Sequence, residues 1–287
     1  MKENLSKSIR AKLLHISKKE NISHQMMIIR YFQERLLYRL SISEFNNNFC
    51  LKGGVLLYMF DQKKSRPTID IDFLAMQTDN DKDSVKNIFS KICRIEYKED
   101  AVTFDYQNIT VTEITKQANY KGIRINVIGK LDTIKQRIQI DVGFGDKVYP
   151  NPLMVNYPVI LEMAQPIIQV YSIYSAIAEK FEAMIQLSEA NSRMKDFYDI
   201  YSLLNNNEID KSKLENAINI TFKTRNTVYT ENHSVFKEEF CTNKDRLTQW
   251  NAFKKKTKII DNLTFDTVLR KIKEEIEPIY KRIDKKP

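Results

Sequence analysis

The chain is poor in the residues that build covalent or soft-metal frameworks. Its three cysteines, Cys50, Cys93 and Cys241, lie far apart with no C-x-x-C spacing. That excludes a disulfide scaffold or a thiolate zinc site and leaves reduced, structural thiols. The three histidines, His15, His24 and His233, are equally dispersed, so neither a histidine metal site nor a histidine base has support. No stretch approaches the roughly 20 apolar residues of a membrane span. Met1 to Glu20 mixes Lys, Arg and Glu with scattered Leu and Ile, and no apolar run follows the charges. This is not the pattern of a signal peptide, and a cytoplasmic protein with no membrane partner is expected. No internal repeat is present.

What is there begins with charge. The 287 residues suffice for a substantial core and for two domains. A net charge of +9 and a pI near 9.2 suit a polyanionic partner. Lysine and arginine gather toward the end, at Lys254, Lys255, Lys256 and Lys258 and again at Arg270, Lys271, Lys273, Lys281, Arg282, Lys285 and Lys286. Glu274, Glu275 and Glu277 are interleaved with them, so part of this signal is a solvated helix face.

Apolar periodicity predicts helices over residues 1–45. A short strand, Phe49 to Leu51, then meets the glycine pair Gly53-Gly54, an amphipathic helix, and a strand through Asp70-Ile71-Asp72-Phe73. Asp79 to Asp83 caps a helix running to about Cys93. Two hairpins are expected, one joining 101–106 to 109–114 and one joining 122–129 to 134–144. The prolines at 150, 152 and 158 then break the chain. Helices are expected over 171–190, 193–204, 211–223, 234–254 and 264–283, with Asn205 to Asn207 as a loop.

Side chains alternate along a strand, so Asp70 and Asp72 leave one face while Ile71 and Phe73 enter a core. Two carboxylates so close repel unless a cation sits between them, and oxygen-only donors favour Mg2+ or Mn2+. The glycine pair lets a phosphate approach bare backbone at a helix N-terminus. In Arg137-Ile138-Gln139-Ile140-Asp141-Val142-Gly143-Phe144, positions 137, 139, 141 and 143 share a face. If this strand pairs beside Asp70 and Asp72, Asp141 becomes a third metal carboxylate; otherwise it pairs with a nearby arginine. Lys180 lies at the edge of an apolar stripe, where it either addresses a triphosphate or snorkels to water. Asp196 and Asp199, with Arg193 one turn before, form an internal ion-pair lattice or orient a bound nucleotide. Arg66 and Thr68 join the face of Asp70 and Asp72 if the strand begins by Arg66, where Arg66 touches phosphate or pairs with Asp70; Pro67 argues for an edge or first-residue position.

Together LKGG at 51–54, RPTIDIDF at 66–73, QIDVGFGD at 139–146, AEK at 178–180 and SRMKDFYD at 192–199 resemble the AbiEii/AbiGii family of nucleotidyltransferase toxins, within the DNA polymerase β superfamily. The resemblance implies an α+β fold: a polymerase β-like nucleotidyltransferase core with a mixed, mostly antiparallel sheet over 1–165, then an α-helical domain over 166–287. It implies that Gly53 and Gly54 accept nucleotide phosphates, that Asp70 and Asp72 bind metal, and that Asp141 is the third carboxylate. Lys180 matches the lysine that contacts triphosphate, and Asp196 and Asp199 match an acidic motif in which Lys195 also lies. Lys52, Arg66 and Thr68 complete the nucleotide-binding candidates. One departure is Gly54, where the wider superfamily usually carries serine, so only backbone N–H groups remain there.

The implied function is transfer of a nucleotide from an NTP to RNA, such as the 3′ end of tRNA, by the toxin of a toxin–antitoxin or phage-defence system with a separately encoded antitoxin. Two other readings stay open. One is nucleotidyl transfer to a small molecule or protein hydroxyl. The other is an inactive nucleotide- or RNA-binding protein, against which the retention of both Asp70 and Asp72 argues.

Overall fold

Amphipathic periodicity in the first 41 residues becomes two helices, α1 (Lys2–Lys19) and α2 (His24–Ser41). Ser23 starts the second, its hydroxyl accepting the Met26 N–H. The structure, a computed structural model, describes residues 2–60, 66–116, 120–257 and 262–283; Lys258, Lys285 and Lys286 lie outside them. The strand β1 (Phe49–Lys52) runs straight into α3 (Gly53–Phe60), and β2 (Asp70–Ala75) follows. Asp81 caps α4 (Lys82–Arg94). Next come β3 (Thr103–Phe104), β4 (Thr110–Lys116), β5 (Tyr120–Leu131), β6 (Ile134–Gly143), β7 (Leu153–Asn156) and β8 (Ile167–Val170). The remainder is helical: α5 (Ile173–Leu187), α6 (Met194–Asn206), α7 (Lys211–Arg225), α8 (Glu238–Thr242), α9 (Lys244–Thr257) and α10 (Phe265–Ile283).

The strands form one mixed sheet in the order β3-β5-β6-β2-β1-β8-β7, with β4 also on β5. The pairs β2–β6 and β1–β8 are parallel, and the other pairs are antiparallel. The fold is therefore α+β with a mostly antiparallel sheet. The β5–β6 hairpin closes through Asp132-Thr133, with Asp132 at φ 53°.

Three local expectations are corrected. The hairpin joining 101–106 to 109–114 does not form. Both β3 and β4 pair with β5, running the same way along one of its edges, while residues 106–108 make a 3-10 turn. The long edge of β5 offers both segments partners that a local turn would have given only once. The proline-flanked stretch holds the short strands β7 and β8; β7 is a sheet edge with three of its four residues exposed, so it lacks strand alternation. The helix expected over 234–254 is broken. Asn243 stops α8 and starts α9, its Oδ1 accepting the N–H groups of Asp245 and Arg246.

The chain forms two compact units: 1–59, 67–145 and 153–170 in the first, 60–66, 146–152 and 171–287 in the second. The first unit buries one sheet face, with Ile71, Phe73, Ile138, Ile140 and Val142 in its core. The rings of Phe49, Phe73 and Phe89 meet there at 5.1–6.3 Å. A buried Arg39–Asp100 pair ties α2 to the segment before β3. The second unit packs Phe181 against Phe222, Phe236 and Tyr280, and Arg225 binds Asp146, Glu179 and Glu182.

Candidate active site

The site in the first unit follows from strand register. Asp72 lies opposite Asp141 and Asp70 opposite Gln139 in the parallel β2–β6 pair. Cross-strand partners share a face, so the three carboxylates project together, and one oxygen from each lies within 4.8 Å of the others. Asp141 is 1% exposed, while Asp70 and Asp72 are half-buried. Three hard oxygen donors with no nitrogen or sulfur fit Mg2+ or Mn2+.

On the other flank of β2, Lys52 faces Asp72 in the β1–β2 register. The turn from β1 into α3 has no spare residue, and it needs Gly53 at φ +67°. A Cβ at Gly53 would stand 2.2 Å from Asp72 Oδ2, and one at Gly54 would stand 2.6 Å from Thr68 Oγ1. The backbone thus passes the acids where no side chain fits, at a helix start whose first N–H groups have no intrahelical acceptor. Thr68 Oγ1 donates to Asp70 Oδ1 at 3.0 Å. Buried Gln33 fixes the approach to β2, its Nε2 donating to the carbonyls of Thr68 and Ile69.

Arg124 is the residue that motif reading missed. Its Nε and Nη2 donate to Asp141 Oδ1 and Oδ2 at 2.8 and 2.9 Å. Gln139 Oε1, with its amide turned to satisfy the network, accepts from the same nitrogens at 3.2 and 3.3 Å. The hydrogen bond to Asp141 raises the Arg124 pKa; burial opposes it, and the charges of Asp141, Asp70 and Asp72 add to the rise. Asp141 therefore both pairs with an arginine and joins the acidic cluster, which the sequence had set out as alternatives.

The second unit holds the remaining candidates. Lys180 does not snorkel to water: its Nζ donates to Asp199 Oδ2 at 2.7 Å and to Asp196 Oδ1 at 3.1 Å. Arg66 makes a bidentate pair with Asp199 at 2.9 Å, and Arg193 meets Asp196 at 2.6 Å. Both aspartates are 1% exposed. Burial works against the Lys180 charge, but Asp199 and Asp196 outweigh it and its pKa is raised. Burial likewise opposes ionisation of Asp199, and Lys180 and Arg66 reverse that, so its pKa is lowered. Because β2 begins only at Asp70, Arg66 does not lie on its site face. Lys195 is exposed on α6, outside the lattice.

The first unit thus brings a triad of strand carboxylates beside a glycine turn on a mixed sheet. The structure is similar to JHP933 from Helicobacter pylori, with a TM-score of 0.53 at 12% identity, covering 92% of this chain and 95% of that one. A second H. pylori structure, assigned provisionally to the nucleotidyltransferases, gives 0.52 at 12% identity, covering 92% and 98%. At that identity the likeness speaks to the fold. Among curated proteins none matches the sequence. The model of the nucleotidyl transferase AbiEii toxin family, of type IV toxin–antitoxin systems, matches residues 35–271. The chain belongs to that family, and it is a nucleotidyltransferase. No helix among the described residues is long and apolar enough to cross a membrane.

Proposed function

We propose that this chain is a divalent-metal-dependent toxin that transfers a nucleoside monophosphate from an NTP to an RNA hydroxyl, with the tRNA 3′ end as the favoured acceptor, and so blocks translation. The observation that carries the reading is the convergence of Asp70, Asp72 and Asp141 within 4.8 Å, beside a glycine turn with no room for a Cβ. Asp70, Asp72 and Asp141 would hold Mg2+ or Mn2+. When bound, such an ion polarises phosphate and lowers the pKa of an attacking hydroxyl.

The chain's own groups do the rest. Backbone N–H groups at Gly53 and Gly54 hold phosphate oxygens, with Lys52 and Thr68 beside them. Asp141, pinned by Arg124, accepts the hydrogen bond of the attacking hydroxyl and draws off its proton. The acceptor oxygen bonds to the α-phosphorus, the bond from that phosphorus to the bridging oxygen breaks, and pyrophosphate leaves. The Lys180 ammonium, held by Asp196 and Asp199, is the proposed contact for triphosphate charge, where fixed positive groups act strongly. A separately encoded antitoxin restrains the activity, and phage defence by abortive infection is the setting.

Incubation with each labelled NTP, Mg2+ and total cellular RNA, followed by a gel, tests this. A labelled tRNA band is expected. Label on a small molecule or protein instead would replace the RNA acceptor, and release of no pyrophosphate with any NTP would refute the catalytic reading.

A further inference from the structure

The face that carries the triad continues beyond Asp141. In the β5–β6 register Arg124 stands opposite Asp141, Asn126 opposite Gln139, Ile128 opposite Arg137 and Lys130 opposite Lys135. The reverse face of the hairpin is core, with Ile123, Ile125, Ile138 and Ile140 at 1% exposure or less. A cationic strip therefore runs along the site face from the triad toward the hairpin turn. Arg137 and Lys135 are exposed and, among the described residues, pair with no carboxylate. Arg137 is nonetheless aimed: its Nε donates to Asn126 Oδ1 at 2.8 Å, and Asn126 itself is buried. A guanidinium held in this way keeps its two Nη groups for a bidentate phosphate contact. At about 3.3 Å per residue, Arg137 lies roughly 13 Å and Lys135 roughly 20 Å along β6 from Asp141.

Position in the sheet decides what this strip is for. The glycine turn flanks β2 on the β1 side, while β6 and β5 lie on the other side. The two flanks of the triad therefore differ: the glycine turn with Lys52 on one, and the row of Arg124, Arg137 and Lys135 on the other. We propose that the β5–β6 face is the acceptor subsite, and that a single-stranded polynucleotide end lies along β6 with its terminal hydroxyl at Asp141 and preceding phosphates on Arg137 and Lys135. The proposal rests on the transfer reading above and gives its acceptor a location. A small-molecule acceptor would need contacts only beside Asp141 and would leave Arg137 and Lys135 without a use.

The test is the double variant Arg137→Ala with Lys135→Ala, both at exposed positions and checked for an unchanged melting temperature. Binding of a fluorescent single-stranded RNA is followed by anisotropy as salt is raised, with no turnover required. Loss of two phosphate contacts is expected to flatten the slope of log K against log salt by about 1.4, and to weaken binding about tenfold or more at low salt. The acceptor KM should rise in parallel while kcat and the KM for NTP hold, and Arg137→Lys should recover part of the loss. An unchanged slope and acceptor KM would overturn the subsite, as would polyglutamate displacing RNA equally well, which would mark the strip as a docking face for acidic protein. Failure of the transfer reading is separable: a wild type that labels no RNA, with the double variant still changing the slope, refutes that reading and leaves Arg137 and Lys135 as an RNA-binding strip without an acceptor role.

Discussion

Gly53→Ala probes the glycine turn with a single methyl group. Two effects follow from the structure and differ in size. At φ +67° the alanine sits in the left-handed region, which costs about 1–2 kcal/mol. For a domain of this size that lowers the melting temperature by about 2–8 °C, a tolerable loss. The new Cβ also lands 2.2 Å from Asp72 Oδ2, and ordinary contact requires the carboxylate to retreat by about 1 Å. A displacement of that size at reacting groups lowers rate about a hundredfold. The variant should thus remain folded at 25 °C while losing about two orders of magnitude in nucleotide transfer and binding Mn2+ more weakly. Calorimetry, Mn2+ titration by electron spin resonance and a labelled-NTP assay read the three effects separately. Gly54→Ala is the companion: its φ is unexceptional and its methyl meets Thr68 first, Oγ1 at 2.6 Å and Cβ at 2.8 Å, so Gly54→Ala with Thr68→Gly, which removes both atoms, should relieve the clash that Gly54→Ala creates. Wild-type transfer and Mn2+ affinity in Gly53→Ala would refute the claim that Asp72 and the turn form one site.

Asp70→Asn removes a carboxylate charge at nearly constant volume and keeps an oxygen for the Thr68 hydroxyl; transfer should fall by at least about a hundredfold with an unchanged melt, and wild-type turnover would rule out the assigned site. Lys180→Ala leaves Asp199 to Arg66 and Asp196 to Arg193 alone, both carboxylates being 1% exposed, so it should cost about 1–3 kcal/mol of stability and raise the KM for NTP while RNA binding holds; a variant as stable as the wild type in urea would refute the role of its ammonium in neutralising that lattice. Burial pushes Glu34 up to about 7 from 4.5, although Arg35 and the Ile160 N–H oppose it. The folded state thus holds this proton more tightly than the unfolded one, and stability present below about pH 4.5 declines as pH rises to about 7, by on the order of 3 kcal/mol. Glu34→Gln should flatten that part of the pH–melting curve, and an unaltered slope would show that Glu34 does not titrate there.

Much of the site was written in local pattern. Alternation put Asp70 and Asp72 on one face, and the same alternation put Asp141 with Gln139 and Arg137. Even Arg124 was within reach: a two-residue turn at Asp132-Thr133 fixes Leu131 opposite Ile134 and therefore Arg124 opposite Asp141, so counting back from the turn would have found it. What no local pattern carried was the parallel pairing of β2 with β6, because that contact is made across a long excursion through α4 and β3 to β5. The destination of Arg66 was hidden for the same reason, since its partner Asp199 lies 133 residues away. Short edge strands escaped as well; β7 has neither the length nor the one-sided burial that alternation detects.

Register is also what protects the site. A slip of one residue between β2 and β6 turns every side chain of one strand to the opposite face. Such a slip would carry Asp70 and Asp72, or Asp141, into a core where Phe73 meets Phe49 and Phe89 and would expose Ile71 and Phe73 or Ile140 and Val142. Each of those four apolar residues is 1% exposed or less, and fully burying a side chain of this kind is worth about 1.5–3 kcal/mol. Unpaired carboxylates in their place would add several kcal/mol of desolvation. The core beneath β2 and β6 therefore enforces the alignment of Asp72 with Asp141. Acids that would repel one another on a free hairpin are held converged by the apolar residues between them.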